Sequence, residues 1–374
     1  MASKRRKRSG DIRYAVVGLG HIAQAAVLPA FGHVKGRSRL AALVSDDRQK
    51  LSVLGDKYGV ENRVSYDRFD SLVQSGDIDA VYIALPNHLH REYTERAAVA
   101  GVHVLCEKPM AVTEPDCRAM LRVCEENGVL LMVAYRLHFE PANLKAAALA
   151  QDGSLGDVRV FNSVFTMQVK EGNIRLRQET GGGVLYDIGV YCINAARSIF
   201  RAEPIEVFAF SASTGEKRFR EVDEMTTAVL RYPDERIASF TVSFGAADVS
   251  AYRVVGTEAT LRVEPAYEYA GALKHYLTRG ESTREQTFRK RDQFAAELDY
   301  FSRCIGKGSV PEPSGQEGLA DVQIIEGLLK SAQTGRPVSL DLQTDQPPTM
   351  DRQDSRPATR QESELVNVES PTRD

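Results

Sequence analysis

The sequence lacks the features that mark several special classes of protein. Its five cysteines form no C-x-x-C pair and do not cluster with histidine at zinc-finger spacing, so we predict neither disulfides nor a metal site. Unpaired cysteines fit a reducing compartment, and we predict a cytoplasmic protein. No apolar run approaches the roughly 20 residues of a membrane span. The 48 Lys and Arg nearly balance the 51 Asp and Glu, which leaves no overall field to attract nucleic acid or a membrane.

The composition that remains is that of a globular protein with a sizeable core. The chain has 374 residues, 43% hydrophobic and 26% charged. At roughly 100–200 residues per domain, this length predicts two or three domains.

Both ends of the chain differ from the body. Residues 1–11 contain the basic run Lys4–Arg8 and are predicted to be a solvated, disordered tail, with weak nucleic-acid contact as the alternative. Residues 341–374 hold eight acidic residues, four Arg, four Pro and no aromatic residue. Such a segment buries too little to fold, so we predict a second disordered tail. Its removal from Asp345 onward is expected to leave folding and activity intact.

Residues 12–134 alternate short apolar runs with helix-like stretches. Near-continuous apolarity is typical of strands buried on both faces of a parallel sheet. Strand–helix alternation then predicts a doubly wound α/β domain. The predicted strands are Ile12–Val17, Leu40–Val44, Ala80–Leu85, His103–Cys106 and Val129–Ala134.

Residues 135–340 read as a second, α+β domain with an open, mainly antiparallel sheet. Short turns separate several of its strand-like segments, which indicates a meander. Two helices are expected to close the domain, one with the apolar stripe Phe294, Leu298 and Phe301 and one over Gly318–Ala332. The predicted strands are Val158–Gln168, Ile205–Ser213, Met225–Tyr232, Arg236–Phe244, Ala251–Val255 and Thr260–Val263.

A glycine-rich turn follows the first predicted strand and opens a helix. In the segment Gly18-Leu19-Gly20-His21-Ile22-Ala23, the first glycine permits a tight turn and the second lets backbone N–H groups approach a pyrophosphate. With its strand and helix in place, the pattern predicts a dinucleotide site. The expected cofactor contacts here are Gly18, Gly20, His21 and Ile22.

The second strand ends in residues that bear on the choice between NAD and NADP. Asp46 is placed to accept hydrogen bonds from the ribose hydroxyls of NAD and would repel a 2′-phosphate. Ser45, Arg48 and Lys50 lie close by and could hold that phosphate instead. The sequence thus favours NAD without excluding NADP, and Asp46 could also be an ordinary loop acid.

Polar residues follow two further strands. Ligands bind beyond the carboxyl ends of the strands in an open α/β sheet, so these residues should face the redox end of the cofactor. A lysine beside Glu107 suggests a positioned acid or electrophile, although a surface salt bridge explains the pair equally well. The residues are Leu85, Pro86, Asn87 and His90 after the third strand, and Glu107 and Lys108 after the fourth.

Asp187 and Tyr191 lie four residues apart after the run Gly181–Gly183. On a helix they would share one face. Ordinary packing with a solvated carboxylate is the alternative, and the spacing alone does not connect this helix to Lys108.

Four segments of the chain, in this order, resemble motifs of the Gfo/Idh/MocA oxidoreductase family. They are the Gly18–Ala23 turn, the Pro86–His90 segment, the Glu107-Lys108-Pro109 triplet and the Gly181–Tyr191 helix. The resemblance covers about residues 12–340. It is strongest to the glucose–fructose oxidoreductase branch, whose motifs resemble Tyr135–Pro141 and Asp187–Asn194 of this chain.

The resemblance implies an NAD(P)-dependent sugar or cyclitol dehydrogenase or reductase. Glu107 would lie against the nicotinamide ribose, and Lys108 would orient the substrate hydroxyl. Tyr191 would exchange the hydroxyl proton and Asp187 would hold the sugar and tune Lys108; Arg136 and His138 would line the sugar pocket. Removing a hydride from a carbinol requires removing its proton, which suits this set of groups.

The resemblance also implies sheet-to-sheet assembly. Segments between Ile205 and Val263 carry apolar or small uncharged residues on both faces, so both faces are expected to be covered, which predicts a homodimer or homotetramer. Two alternatives stay open: an enzyme that retains NADP as glucose–fructose oxidoreductase does, and a catalytically inactive nucleotide-binding regulator or scaffold.

Overall fold

The structure is a computed structural model, and it describes residues 10–34, 36–342 and 364–372. Within these residues the chain forms a six-stranded and a nine-stranded sheet. None of the described helices has the length and apolarity needed to cross a membrane. All five cysteines are buried free thiols.

The first sheet is parallel throughout and runs in the order β3-β2-β1-β4-β5-β6. This is the order of a Rossmann domain, in which the chain reverses direction across the sheet between β1 and β4 and leaves a crevice there. Its strands are β1 (Ile12–Val17), β2 (Ser38–Val44), β3 (Asn62–Val64), β4 (Ala80–Ile83), β5 (His103–Glu107) and β6 (Leu131–Ala134). Its helices are α1 (Leu28–Phe31), α2 (Arg48–Tyr58), α3 (Phe69–Gln74), α4 (His90–Val99) and α5 (Glu114–Glu126).

Local signals in the sequence account for the helix ends. The Thr113 side chain caps α5 by accepting a hydrogen bond from the Asp116 N–H. Asp47 caps α2 in the same way, accepting from the N–H groups of Gln49 and Lys50. This cap fixes the segment after β2, where the residues predicted to select the cofactor lie.

The second sheet has the order β14-β13-β12-β11-β7-β10-β9-β8-β15. Its strands are β7 (Val158–Thr166), β8 (Glu206–Ala212), β9 (Met225–Tyr232), β10 (Arg236–Ser243), β11 (Val249–Gly256), β12 (Thr260–Val263), β13 (Leu273–Arg279), β14 (Ser282–Phe288) and β15 (Val338–Ser339). The helices outside the first domain are α6 (Pro141–Gln151), α7 (Val190–Phe200), α8 (Gln293–Lys307) and α9 (Gly315–Thr334).

The meander prediction was wrong at the centre of this sheet. β7 lies between β10 and β11 and pairs with β10 in parallel. A parallel pair needs a crossover connection, and α7 with the hairpin β8–β9 supplies it. The sheet is still mainly antiparallel, so the predicted fold class is confirmed.

Helix α8 lies where the sequence analysis does not place it. Phe294, Leu298 and Phe301 are buried in the cluster that contains Tyr14 and Leu43 of the Rossmann sheet. Tyr14 and Ser302 also share a buried hydrogen bond of 2.8 Å. An apolar stripe shows that a helix packs against something, but it does not show against which sheet. The sequence pattern therefore does not predict that the chain returns to its first domain at α8.

The prediction of a fully disordered C-terminal tail needs correction for residues 364–372. This segment is described in contact with the folded body, because its backbone pairs with Gln24 and with Lys170. Composition underestimates such a segment, since backbone hydrogen bonds need no apolar side chains. Residues 343–363 and the N-terminal run Lys4–Arg8 lie outside the described residues.

Candidate active site

The glycine-rich turn lies where β1 meets the end of β4. Gly18 has a φ of +93°, and a Cβ there would lie 2.5 Å from the Ala84 carbonyl oxygen. A Cβ on Gly20 would meet no atom within 4 Å, because this glycine faces open space. The first glycine is thus required by the close approach of two strands, and the second leaves the backbone accessible.

The turn forms one end of a large cavity between the two domains. The cavity has a volume of about 1140 Å³. Predicted cofactor residues in its wall are Gly18, Gly20, His21, Ile22, Ser45, Lys50, Leu85, Pro86, Asn87, Glu107 and Lys108. Predicted substrate residues in the same wall are Arg136, Asp187 and Tyr191.

Three of the predicted cofactor residues lie outside the cavity wall. Asp46 and Arg48 are exposed beyond Ser45, and the Asp46 carboxylate accepts a hydrogen bond of 2.9 Å from the Tyr66 N–H. His90 is fully buried beneath the wall. Its two ring nitrogens lie 2.9 Å from the carbonyl oxygens of Pro109 and Leu85, so it joins the loops that follow β4 and β5.

Glu107 and Lys108 end β5 with their side chains in different surroundings. The Tyr82 hydroxyl donates to Glu107 at 2.8 Å, and burial raises the pKa of this carboxyl. The Lys108 ammonium reaches across to the second domain, where it donates to the Asp187 carbonyl oxygen at 2.7 Å and to its carboxylate at 3.1 Å. The structure therefore brings Lys108 to Asp187, which spacing alone did not.

A wide π-type turn, Leu185–Gly189, precedes α7 and carries Asp187. The second Asp187 oxygen accepts from Arg175 at 2.7 Å. Burial by itself would raise the pKa of Asp187, but Arg175 and Lys108 outweigh it and hold the pKa well below its usual value. Burial would lower the pKa of Lys108, yet the nearby Asp187, Tyr191 and Glu107 raise it. Both groups are therefore charged at neutral pH.

Tyr191 lies one turn further along, between two cations. The Lys108 nitrogen is 4.8 Å and the Arg136 guanidinium carbon 4.9 Å from the centre of its ring. The Arg136 Nε donates to the Tyr191 hydroxyl oxygen at 3.2 Å. Arg136 is itself fixed by Gln293 at 2.8 Å and by the Tyr267 carbonyl at 2.6 Å.

His138 does not reach the cavity. It is fully buried behind Arg136 and bonds Asn194 at 2.8 Å. Burial lowers the pKa of His138 to about 4. The predicted substrate contact is therefore, in this structure, a neutral side chain of the domain interior.

The burial of His138 predicts a loss of stability on mild acidification. The folded state keeps the ring neutral down to about pH 4, whereas the unfolded chain takes up the proton near 6.5. The unfolded state binds more protons between these values, so the free energy of unfolding should fall as the pH falls from about 6.5 to about 4. His275, with a pKa also lowered to about 4 by burial, adds to this slope. Urea denaturation at several pH values should show a flatter slope for His138→Gln; an unchanged slope contradicts the assignment.

The sequence analysis missed Arg175, which lines the cavity and pairs with Asp187. The three glycines after it explain how it gets there. A Cβ on Gly182 would lie 2.5 Å from the Arg175 carbonyl oxygen, and one on Gly181 would lie 2.9 Å from the Asn87 Cβ. The run thus folds the Arg175 loop onto Asp187 and onto the first domain. No spacing signal in the sequence marks Arg175.

Comparisons with known proteins agree with this architecture. The family profile described as "Oxidoreductase family, NAD-binding Rossmann fold" matches residues 12–135, and the "GFO/IDH/MocA C-terminal domain" matches residues 143–262. A D-xylose 1-dehydrogenase [NADP(+)] of Haloarcula marismortui is 34% identical over 88% of this chain and 93% of its own.

Two solved structures share both domains. An aldose–aldose oxidoreductase from Caulobacter crescentus, complexed with glycerol, superposes with a TM-score of 0.85 at 37% identity, over 88% of this chain and all of its own. A 3-ketoreductase from Actinomadura kijaniata in complex with NADP and TDP-benzene gives 0.79 at 27% identity, over 86% and 98%. With both domain profiles matched in order and relatives alike over nearly their whole length, the chain belongs to the Gfo/Idh/MocA family of oxidoreductases.

Proposed function

We propose that the protein is an NAD(P)-dependent oxidoreductase that moves a hydride between nicotinamide and a carbinol or carbonyl carbon of a sugar or cyclitol. The observation that carries this proposal is one continuous cavity, with the glycine-rich turn at one end and Lys108, Asp187 and Tyr191 at the other. Two of the similar proteins are a D-xylose 1-dehydrogenase and an aldose–aldose oxidoreductase, which supports a sugar as the substrate rather than another alcohol.

The residues of the cavity fit a nicotinamide dinucleotide. Gly18 and Gly20 leave the turn accessible at the start of the first helical segment, where backbone N–H groups suit a pyrophosphate. Glu107, Pro86 and Asn87 line the middle of the cavity, beyond the strand ends. When bound, the nicotinamide ring supplies or takes up the hydride.

Lys108 is proposed to hold the reacting oxygen of the sugar. Two of its ammonium hydrogens go to Asp187, which leaves the third for a ligand in the cavity. Asp187 keeps the amine charged, and Arg175 holds the Asp187 carboxylate in place. A fixed cation stabilises the negative charge that develops on the substrate oxygen when its hydroxyl proton is removed.

Tyr191 is proposed to exchange the proton of that hydroxyl. Arg136 donates to the Tyr191 oxygen, so the phenol hydrogen can point away from Arg136 and into the cavity. Lys108 and Tyr191 are thus close enough to act on one substrate oxygen. The inactive-scaffold alternative has no support here, because all three predicted catalytic residues meet in one cavity.

Steady-state assays with a panel of aldoses, ketoses and inositols, each with NAD and NADP, test the proposal. The purified protein should oxidise or reduce at least one sugar or cyclitol with one cofactor. A chain that binds either dinucleotide but turns over no member of the panel would support the scaffold alternative instead.

Asp46 and Lys50 are proposed to set the cofactor preference in opposite directions. Lys50 and Ser45 line the cavity, whereas Asp46 lies just outside its wall. A 2′-phosphate would be attracted by the ammonium and repelled by the carboxylate.

We therefore expect Asp46→Gly to raise, and Lys50→Met to lower, the ratio of kcat/KM for NADP to that for NAD. A hydrogen bond to a charged group is worth about 1.5–3 kcal/mol, which corresponds to about 10–100-fold in the ratio for Lys50→Met. The same preference in wild type and both variants would show that other residues select the cofactor.

The exposed face of the second sheet is proposed to bind a second copy of the chain. Phe210 is 66% exposed, and Val160 and Ile237 are exposed neighbours in register on β7 and β10. The sequence predicts a face without charged residues, but Arg231 and Arg253 are also exposed on it. The apolar residues still form a patch of the kind that marks protein interfaces.

Sedimentation at micromolar concentration is expected to show at least a homodimer. Ile237→Glu should shift the protein towards monomer, because it places a charge within the apolar patch. Val99→Glu is the matched control, since Val99 is 69% exposed on the first domain. A monomeric wild type, or equal effects of both substitutions, contradicts the assignment.

A further inference from the structure

Residues 364–372 contact both domains, and residues 368–372 line the cavity. On the Rossmann side, the Val366 N–H donates to the Gln24 side-chain oxygen at 2.7 Å, and the Gln24 amide donates to the Val366 carbonyl at 2.9 Å. Asn367 donates to Asp47 at 3.1 Å and to Gln49 at 3.0 Å. These are residues of the first helical segment and of the α2 cap, at the nucleotide end of the cavity.

On the other side the same segment pairs with the second domain. The Lys170 N–H donates to the Pro371 carbonyl at 3.1 Å. Thr372 forms an antiparallel bridge with Val169. Lys170 belongs to the loop after β7 that lines the cavity beside Arg175. A short stretch of chain thus ties the two domains together along one wall of the cavity.

Gln24 shows that the contact is specific. Its side chain is only 1% exposed, and its amide also donates to the Leu19 carbonyl at 2.9 Å. A buried amide requires partners on both its oxygen and its nitrogen, and Val366 supplies one to each. The Val366 side chain packs against the apolar cluster of the Rossmann domain. The segment is therefore joined to the glycine-rich turn through Gln24.

The segment forms a wall of the cavity and does not fill it. Residues 368–372 line the same cavity as Gly18, Lys50 and Glu107, and about 1140 Å³ remains with the segment in place. A dinucleotide bound along that cavity would lie against residues 368–372. Opening this wall of the cavity requires breaking the contacts with Gln24 and Asp47 or those with Lys170.

From these contacts we propose that residues 364–372 act as a strap that closes over the bound nicotinamide dinucleotide and retains it between turnovers. The proposal rests on the proposed function, because it assumes that the cavity binds this cofactor. It assigns to the C-terminal segment a role in holding the cofactor, in addition to that of the glycine-rich turn.

Cofactor release from the full-length protein and from a chain ending at Ser363 tests the strap. A chain ending at Thr372 is the matched control, because it loses residues beyond the strap only. Each protein is loaded with NADPH or NADH and mixed with excess oxidised cofactor, and the loss of bound nicotinamide fluorescence gives the dissociation rate. We expect the chain ending at Ser363 to release cofactor at least about tenfold faster, as loss of one or two hydrogen bonds would cause, and the control to match the full chain.

Two point variants separate the strap from a general effect of truncation. Val366→Pro removes the N–H that donates to the Gln24 side chain. Asn367→Ala removes the side-chain amide that donates to Asp47 and Gln49. Both should speed release while the melting temperature without cofactor stays within a few degrees of wild type. Equal dissociation rates in all chains would overturn the strap, and tighter binding by the shortened chain would show that the segment competes with the cofactor. Failure of every chain to bind would overturn the proposed function instead.

Discussion

Lys108→Met is expected to lower kcat by about 10²–10⁴-fold with little change in cofactor affinity. The Lys108 amine bonds Asp187 at 2.7 and 3.1 Å and lies 4.8 Å from the ring centre of Tyr191, so we expect it to act on the substrate and not on the pyrophosphate. Methionine keeps a similar length and removes the charge. The measurement is steady-state kinetics with the preferred sugar, together with a cofactor titration.

The pH profile gives a second test of the role of Lys108. Asp187 and its neighbours raise the pKa of Lys108, so the amine keeps its charge through neutral pH, and loss of its proton should not limit the rate there. In the variant the loss of rate should persist at every pH tested. Lys145→Met, on the exposed side of α6, is the control for the substitution itself. Full activity of Lys108→Met would remove Lys108 from the mechanism.

The part of the site that sequence predicts well is the part made by neighbouring residues. Gly18 and Gly20 are recognised because one turn must satisfy a tight bend and an accessible backbone at once. Glu107 and Lys108 are placed at the cavity because strand ends share one edge of a parallel sheet. Such inferences need only the local pattern and the fold class.

Contacts between segments that are distant in the sequence cannot be predicted from the local spacing of apolar and polar residues. The Lys108–Asp187 pair joins two domains, and it was expected only from the family resemblance. Arg175 was missed because an arginine in a polar loop has no distinctive surroundings in the sequence. His138 was assigned to the pocket by resemblance, while its hydrogen bond to Asn194 turns it to the interior.

The same limit applies to backbone pairing. β14 is exposed along nearly its whole length and carries no apolar alternation, so it was not predicted. β7 pairs with β10 and β11, a choice that depends on the crossover through α7 and not on the β7 sequence. The strap at residues 364–372 was missed for a related reason, since its main partners are backbone groups and Gln24.

Arg197→Met is expected to reduce the free energy of unfolding by about 3–5 kcal/mol. Arg197 lies on α7, the helix that also carries Tyr191, and its side chain is fully buried. It pairs with Glu203 at 2.6 Å and with Asp321 at 2.7 Å, and it donates to the Glu317 carbonyl at 3.2 Å. Its removal leaves the Asp321 carboxylate buried without its cation. Because whole domains are stable by only about 5–15 kcal/mol, the loss should be plain in urea denaturation.

Two further variants show whether the buried charge is the cause. Arg118→Met breaks an exposed pair with Glu114 on α5 and should cost at most about 1 kcal/mol. Adding Asp321→Asn to Arg197→Met removes the uncompensated charge and should restore part of the stability. Burial already raises the pKa of Asp321, and losing Arg197 raises it further. A folded-state pKa above the unfolded value favours folding as the pH falls, so the deficit of Arg197→Met should shrink on mild acidification. A deficit that is independent of pH and unchanged by Asp321→Asn would mean that lost packing, not the buried carboxylate, destabilises the variant.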